Sequence, residues 1–457
     1  MKTIFSLITC LGFSWAAHAT AADKVILAGK IKKPNNDSLF VEDEAGQVFR
    51  SIRLSKSGTF RDTMQLKPGI YHLNDGTEFA TLWLKPGFNL QISIDTRQFD
   101  ESVSFKGAGS AENNYLAGRY LLEEKLESKT SYAYYARLNE SRFMSFMDSL
   151  HTVRLNFLNK HNKGMDPGFY SLQKMIIDYD KMSNMYSYES MHRYLTGKPD
   201  FRVSEQYPDP FTGIDLNRDE WVSKWEYTNV ISDYLYALTG RDSAIKHGHD
   251  YYLVYLKHLE KNVASPAIRN KLASDVGMFR LVYSRSKDSV YNAVMDMVSD
   301  TADRSRISDL YAKLKKLHKG AVSQSFSFAD RSGKLHTLED FRGKLVYIDV
   351  WATWCGPCIG EMPSLAALQD SLKGRDIVFV SICKSDLRNS WERFLDKKKP
   401  EGVQLFAEDN DAAFFKDYVI QGIPRFILID RDGRIIDADA KRPSDARLKP
   451  ELLDLLK

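Results

Sequence analysis

The stretch Leu345–Pro363, LVYIDVWATWCGPCIGEMP, constrains this chain more than any other. Leu345-Val-Tyr-Ile-Asp-Val350 is an apolar run broken by one acid, Asp349, and it reads as a strand buried on both faces. Beyond Trp351-Ala-Thr-Trp354 and Cys355-Gly356-Pro357-Cys358 the pattern changes to a helical period, with Met362, Leu365, Ala366, Leu368 and Leu372 on one side. The two cysteines therefore sit where a strand hands over to a helix, with Cys355 at or just before the helix N-terminus. Pro357 is tolerated there because a first-turn amide has no intrahelical partner.

That placement has chemical consequences. The unpaired amides and dipole of a helix N-terminus favour negative charge, so a thiol there ionises more readily than a free one. A thiolate is the attacking species in disulfide exchange, and a second cysteine three residues on can resolve the mixed disulfide. Zinc would need four ligands, and no second Cys/His pair lies nearby at ligand spacing. No His follows Cys358, which sets aside c-type haem attachment. The strand-to-helix setting points to redox chemistry rather than to two inert core thiols.

WATWCGPC, the acid six residues before the first cysteine, and Gly422-Ile423-Pro424 resemble the thioredoxin superfamily. Glu361-Met362-Pro363 narrows the resemblance to the TlpA/ResA-like branch of extracytoplasmic thiol-disulfide oxidoreductases. It covers about Gly320 to Lys457, the last third of the chain, and implies a C-terminal α/β thioredoxin fold over residues 319–457.

At 457 residues the chain is too long for one core, so several domains are expected. The formal charge of +4 is small for this length and implies no nucleic-acid or membrane footprint. Residues 1–21 read as a secretory signal: Lys2, an apolar run from Ile4 to Ala17, then small-residue cleavage sites. A periplasmic or cell-envelope address follows. Leu7-Ile8-Thr9-Cys10 raises lipidation, a membrane-anchored alternative, but Cys10 comes too early to leave a full apolar run before it. Cleavage leaves Cys355, Cys358 and Cys383, too few for a disulfide-stapled scaffold, so the one pair is a working pair.

Residues 22–110 read as an all-β, sandwich-like domain. Short alternating runs (Val25–Ile31, Leu82–Leu84, Leu90–Ile94) are separated by turn signals such as Asn74-Asp75-Gly76 and Lys85-Pro86-Gly87. This part resembles a domain of unknown function found ahead of TlpA-like domains in Bacteroidetes proteins. Residues 111–318 read as helical. Phe143, Phe146, Met147, Leu150, Val153 and Phe157 make one stripe; Trp221, Trp225, Val230, Tyr234 and Leu238 make another, with Gly240 as a stop. Tyr132–Tyr135 and Tyr186–Tyr188 read as helix-packing aromatics, and His247-Gly-His249 lacks the carboxylate or Cys partner a metal site needs. In the last third, Asp330–Gly333 turns a hairpin, Ile377–Ile382 is a strand, helices surround Trp391–Leu395 and Ala412–Tyr418, Arg425–Asp430 is a strand, and Leu448–Leu456 closes the fold.

Several residues carry specific expectations. Cys355 is the nucleophile and Cys358 the more buried resolving thiol. By resemblance, the Gly356-Pro357 spacer implies a reducing poise, near thioredoxin's about −270 mV. Asp349 in an apolar strand should have a raised pKa and exchange the proton of Cys358, or else be a hydrogen-bonded structural acid. Glu361 matches an acid that influences the cysteines in the ResA-like branch, or is an exposed first-turn residue serving the helix dipole. By resemblance, Pro424 is expected in the cis form rather than as an ordinary trans Pro at a strand start, and Pro424, Ile423, Trp354, Gly356 and Pro357 are expected as substrate contacts. Arg425, replacing a Thr common there, would favour an acidic partner. Cys383 reads as a small buried apolar residue more readily than as a third redox thiol.

The chain is thus expected to be an exported protein-disulfide reductase, with no cofactor or metal beyond the Cys355–Cys358 dithiol. Disulfide-bearing exported proteins would be its substrates and a membrane thiol reductase its electron donor. A thiol peroxidase is disfavoured by the CxxC. The rival reading is a surface or periplasmic binding and assembly protein, with residues 22–318 holding a partner and the redox domain accessory.

Overall fold

The computed structural model describes residues 24–408 and 412–457; the signal-peptide reading and Cys10 lie outside them. The chain divides into two compact units, Met1–Ile214 with Lys224–Val230 and Asp215–Ser223 with Ile231–Lys457. The division falls inside the helical region rather than at either end of it.

In the first unit, eight strands form two four-stranded sheets: β1 (Val25–Lys32), β2 (Ser38–Asp43), β3 (Val48–Arg53), β4 (Thr59–Met64), β5 (Gly69–Asn74), β6 (Phe79–Leu84), β7 (Asn89–Asp95) and β8 (Ser104–Ala108). One sheet has the order β4-β1-β7-β8 and the other β3-β2-β5-β6. Alternate residues of both sheets meet in one core, including Leu27, Ile92 and Phe105 from the first and Val41, Leu73 and Leu82 from the second. This is the expected sandwich.

Helix α1 (Ser110–Thr130) covers one edge strand of each sheet of that sandwich. Asn113 accepts from the Trp83 amide at 2.9 Å and donates to the Trp83 carbonyl at 3.0 Å. Asn114 does the same with Phe105, at 2.9 and 2.8 Å. Trp83 lies on edge strand β6 of one sheet and Phe105 on edge strand β8 of the other, so each amide satisfies the backbone N–H and C=O of one edge residue. Helices α2 (Glu140–His161) and α3 (Pro167–Thr196) follow. Asn139 caps one and Asp166, with Pro167 next to it, caps the other. Phe143, Met147, Leu150, Tyr135 and Tyr188 bury together as the aromatic spacing predicts. Val153 departs from the predicted stripe and is exposed.

Helix α4 (Trp225–Arg241) buries Tyr227, Val230, Ile231 and Leu235, whereas Trp225 at its start is exposed. The second unit continues with α5 (Tyr251–Asn262), α6 (Pro266–Phe279), α7 (Lys287–Met297) and α8 (Thr301–Lys315). Its sheet comprises β9 (Ser327–Ala329), β10 (Leu335–Thr337), β11 (Leu345–Trp351), β12 (Ile377–Cys383), β13 (Val403–Phe406), β14 (Arg425–Ile429) and β15 (Ile435–Asp437), in the order β10-β9-β13-β12-β11-β14-β15. Strand β13, only four residues long, was not expected from the sequence. Helices α9 (Gly356–Ser371), α10 (Arg388–Lys398) and α11 (Leu448–Leu455) complete the α/β domain. Among the described residues, no helix is long and apolar enough to cross a membrane.

Candidate active site

Strand β11 sits inside the sheet, parallel to β12 and antiparallel to β14, and all seven of its residues are buried. Its end carries the chain to Cys355, which is the N-cap of α9 in extended conformation. The Cys358 amide donates to the Cys355 sulfur at 3.2 Å, so an orphan donor of the first turn points at the sulfur. Cys355 and Cys358 form a disulfide. Both are buried, at 4% and 3% exposure, so the greater burial expected of Cys358 is not observed; they pack with Trp351, Ala352, Cys383, Trp391 and Phe406, against which Met362 and Ile423 also rest. The Ile423–Pro424 peptide is cis, as expected.

Trp354 stands out from this core, 63% exposed, yet its ring is fixed: Nε1 donates to the Ser385 carbonyl at 2.7 Å. The loop after β12 supplies a second tie that the sequence did not reveal. The Asp386 carboxylate accepts from the Thr353 amide at 2.6 Å, from the Leu387 amide at 2.7 Å and from the Cys383 thiol at 3.6 Å. Cys383 is the last residue of β12 and fully buried; burial first, and the Asp386 charge second, push its thiol far up.

Asp349 lies between Ser381 of β12 and Phe426 of β14 and is buried. Burial pushes its carboxyl up to about 7, and the Glu361 charge adds to the effect. It lines a cavity of about 410 Å³ together with Trp351, Gln369, Ser381, Glu401 and Gln404. The acid therefore faces a partly polar space rather than solid hydrocarbon. Glu361 is not an exposed first-turn residue. Its side chain is only 12% exposed and accepts from the Ser444 amide at 3.0 Å and the Ser444 hydroxyl at 2.9 Å.

Arg425 corrects an expectation. Its side chain is 4% exposed, pairs with Asp439 at 3.2 Å and donates to the Ala438 carbonyl at 3.0 Å. The charge is consumed inside the domain, so it is not presented to an acidic partner.

A βα unit presenting a cysteine pair at a helix N-terminus, opposite a cis-proline loop, defines a thioredoxin-fold dithiol–disulfide protein. The Redoxin family model matches residues 318–452. The thiol-disulfide oxidoreductase ResA of Bacillus cereus is 30% identical over 129 residues, which span 28% of this chain and 72% of that protein. ResA of Bacillus subtilis is 26% identical over 128 residues, 28% of this chain and 70% of that protein. A crystal structure from Bacteroides vulgatus, described as a thiol-disulfide oxidoreductase, is 42% identical, covering 31% of this chain and 99% of that one, with a TM-score of 0.29. Through its C-terminal third, the chain belongs to the ResA-like thiol-disulfide oxidoreductases, and that domain is a redox enzyme of the thioredoxin-like class.

Proposed function

We propose that the chain is an exported reductase of protein disulfides, with Cys355 attacking and Cys358 resolving. The observation that supports this most is the joint placement of the Cys355 sulfur on a helix-start amide and of a buried acid, Asp349, whose carboxyl burial pushes up to about 7. A thiolate at a helix start is stabilised, and an acid half-ionised near neutrality can both take and give a proton.

The Cys355 thiolate attacks one sulfur of a substrate disulfide. A mixed disulfide forms, and the expelled substrate thiolate takes a proton from water. Cys358 then loses its proton to the Asp349 carboxylate and attacks the Cys355 sulfur. The mixed disulfide breaks and the second substrate thiolate leaves, to be protonated in turn. Two electrons pass to the substrate, and the enzyme is left as the Cys355–Cys358 disulfide, the state of this structure. A membrane thiol reductase, acting as dithiol donor, returns the two electrons; no other cofactor enters the cycle. Glu361 adjusts the charge state of Asp349, while Trp354, Gly356, Pro357, Ile423 and Pro424 form the surface that receives the substrate chain.

The reading of residues 1–21 as a signal supports a periplasmic or envelope location, where oxidised cysteines of other exported proteins are the substrates. Haem-attachment cysteines of apocytochromes are one such class by family analogy. The test is steady-state reduction of insulin by the full chain with dithiothreitol as donor. Turnover that disappears in Cys355→Ser supports the proposal. Equal rates with and without Cys355 contradict it.

A further inference from the structure

The cis-proline loop does not stand alone in this chain, because the helical part of the second unit is built onto it. Gln421 Nε2 donates to the Met278 carbonyl at 2.7 Å, joining the loop to the end of α6. A methyl group placed at Gly422 would lie 3.3 Å from the Tyr283 hydroxyl, so that phenol rests over the loop one residue before Ile423. Ile423 in turn packs on the cysteine cluster. The turn that carries Tyr283 is held firmly from below. Leu281 and Val282 are fully buried. The buried Asp250 carboxylate accepts from the Ser284 hydroxyl at 2.8 Å and from the amides of Arg285 and Ser286 at 2.8 and 3.0 Å. Burial opposes ionisation of Asp250, but these bonds outweigh it and hold its carboxyl below the usual range.

On this fixed support Tyr283 is 40% exposed and Phe279, at the end of α6, is 55% exposed. Two large aromatic side chains are thus exposed on the segment that touches the loop leading to the disulfide. Trp354, 63% exposed, directly precedes Cys355, and Leu387, 73% exposed, follows the Asp386 that holds the Thr353 amide.

We propose that Tyr283 and Phe279 are specificity-determining residues: the helical region supplies one wall of the substrate groove and selects extended polypeptide disulfides with apolar or aromatic residues flanking the cysteine. This rests on the reading that the Cys355–Cys358 pair exchanges with protein substrates. A chain paired along Gln421–Ile423 passes under the Tyr283 ring, whereas a small disulfide reaching Cys355 does not extend that far. The wall should therefore act on substrate affinity and leave the chemistry of the sulfur pair alone.

The test compares the full-length wild type with Tyr283→Ala, Phe279→Ala and Tyr283→Phe. Exchange is measured with two synthetic peptides holding one disulfide, flanked by Phe/Leu or by Ser/Gly, and with hydroxyethyl disulfide. The Ala variants should raise KM for the Phe/Leu peptide about 5- to 10-fold, with kcat held. They should leave hydroxyethyl disulfide and the reduction potential unchanged, and Tyr283→Phe should restore most of the peptide affinity. Equal losses on the peptides and on hydroxyethyl disulfide, or no loss on any, overturn the assignment. Failure of the reductase reading looks different: the wild type would favour peptide oxidation, and the same KM comparison, run with the reduced peptides, still decides the role of Tyr283 and Phe279.

Discussion

The Cys358 amide donates to the Cys355 sulfur over 3.2 Å, across the first turn of α9. One cysteine is thereby the acceptor of a helix-start amide, and the other lies inside the first turn, although both are equally buried. The two sulfurs are inequivalent through backbone geometry alone. Negative charge is favoured on Cys355 and not on Cys358.

That asymmetry predicts a trapping result. Cys358→Ser should accumulate a mixed disulfide between Cys355 and a substrate, visible on a non-reducing gel. Cys355→Ser should trap little and lose turnover by on the order of a thousandfold. Equal trapping by both variants would mean that the inequivalence of the two sulfurs does not govern attack.

Asp349 predicts a pH effect in two observables. Its folded-state value of about 7 lies above the ordinary carboxyl value of 3.8. Such a group binds its proton more tightly in the folded chain, so its contribution is fully favourable below pH about 4, falls as pH rises, and levels off above about 7. Asp349→Asn should remove this slope and stabilise the second unit at pH 8 by a few kcal/mol, about 4 at most, read from chemical denaturation. The same variant should abolish an inflection near pH 7 in the rate at which the mixed disulfide is resolved. A wild-type profile flat from pH 6 to 8 would show that Asp349 handles no proton in that step.

Cys383 predicts selective chemistry. Burial and the adjacent Asp386 push its thiol far up, so it stays protonated and hidden. In the reduced native protein, iodoacetamide should modify Cys355 rapidly and leave Cys383 untouched until denaturant is added, as read by peptide mass. Asp386→Ala should cost about 1–2 kcal/mol by freeing the Thr353 amide. It should also alter Trp354 fluorescence, because the loop that holds the indole is released. Rapid native labelling of Cys383 would contradict its burial.

Arg425 predicts a structural penalty rather than a change of substrate. Its partner Asp439 keeps a 42% exposed side chain, so this is a half-screened pair rather than a sealed one. Arg425→Ala should lower stability by about 2 kcal/mol, while Arg425→Thr should not shift the preference between acidic and basic peptides. A charge-dependent shift in KM would return Arg425 to the substrate surface.

Parts of this arrangement are visible in the sequence and parts are not, for identifiable reasons. The βα crossing around Cys355 is legible because its apolar run and helical period are both strong and adjacent. The sandwich is legible from its turns, although β3 carries no alternation: five of its six residues are exposed. Strand β13 escapes because four residues hold too little pattern. Trp225 and Val153 fit helical stripes by spacing, but the neighbouring elements leave their faces uncovered. Asp386, Ser444 and Tyr283 are illegible for another reason. Each acts through residues at least 33 positions away, at Thr353, Glu361 and Gly422, and no local motif encodes such a meeting.

The reduction potential of the Cys355–Cys358 pair, measured in the full chain against glutathione and dithiothreitol buffers, tests the central claim most directly. Cys383→Ala serves as the control and should leave the value unchanged. A reductase requires a potential near thioredoxin's about −270 mV. A value near the about −120 mV of strong oxidants would contradict that direction and make disulfide formation the activity of this chain.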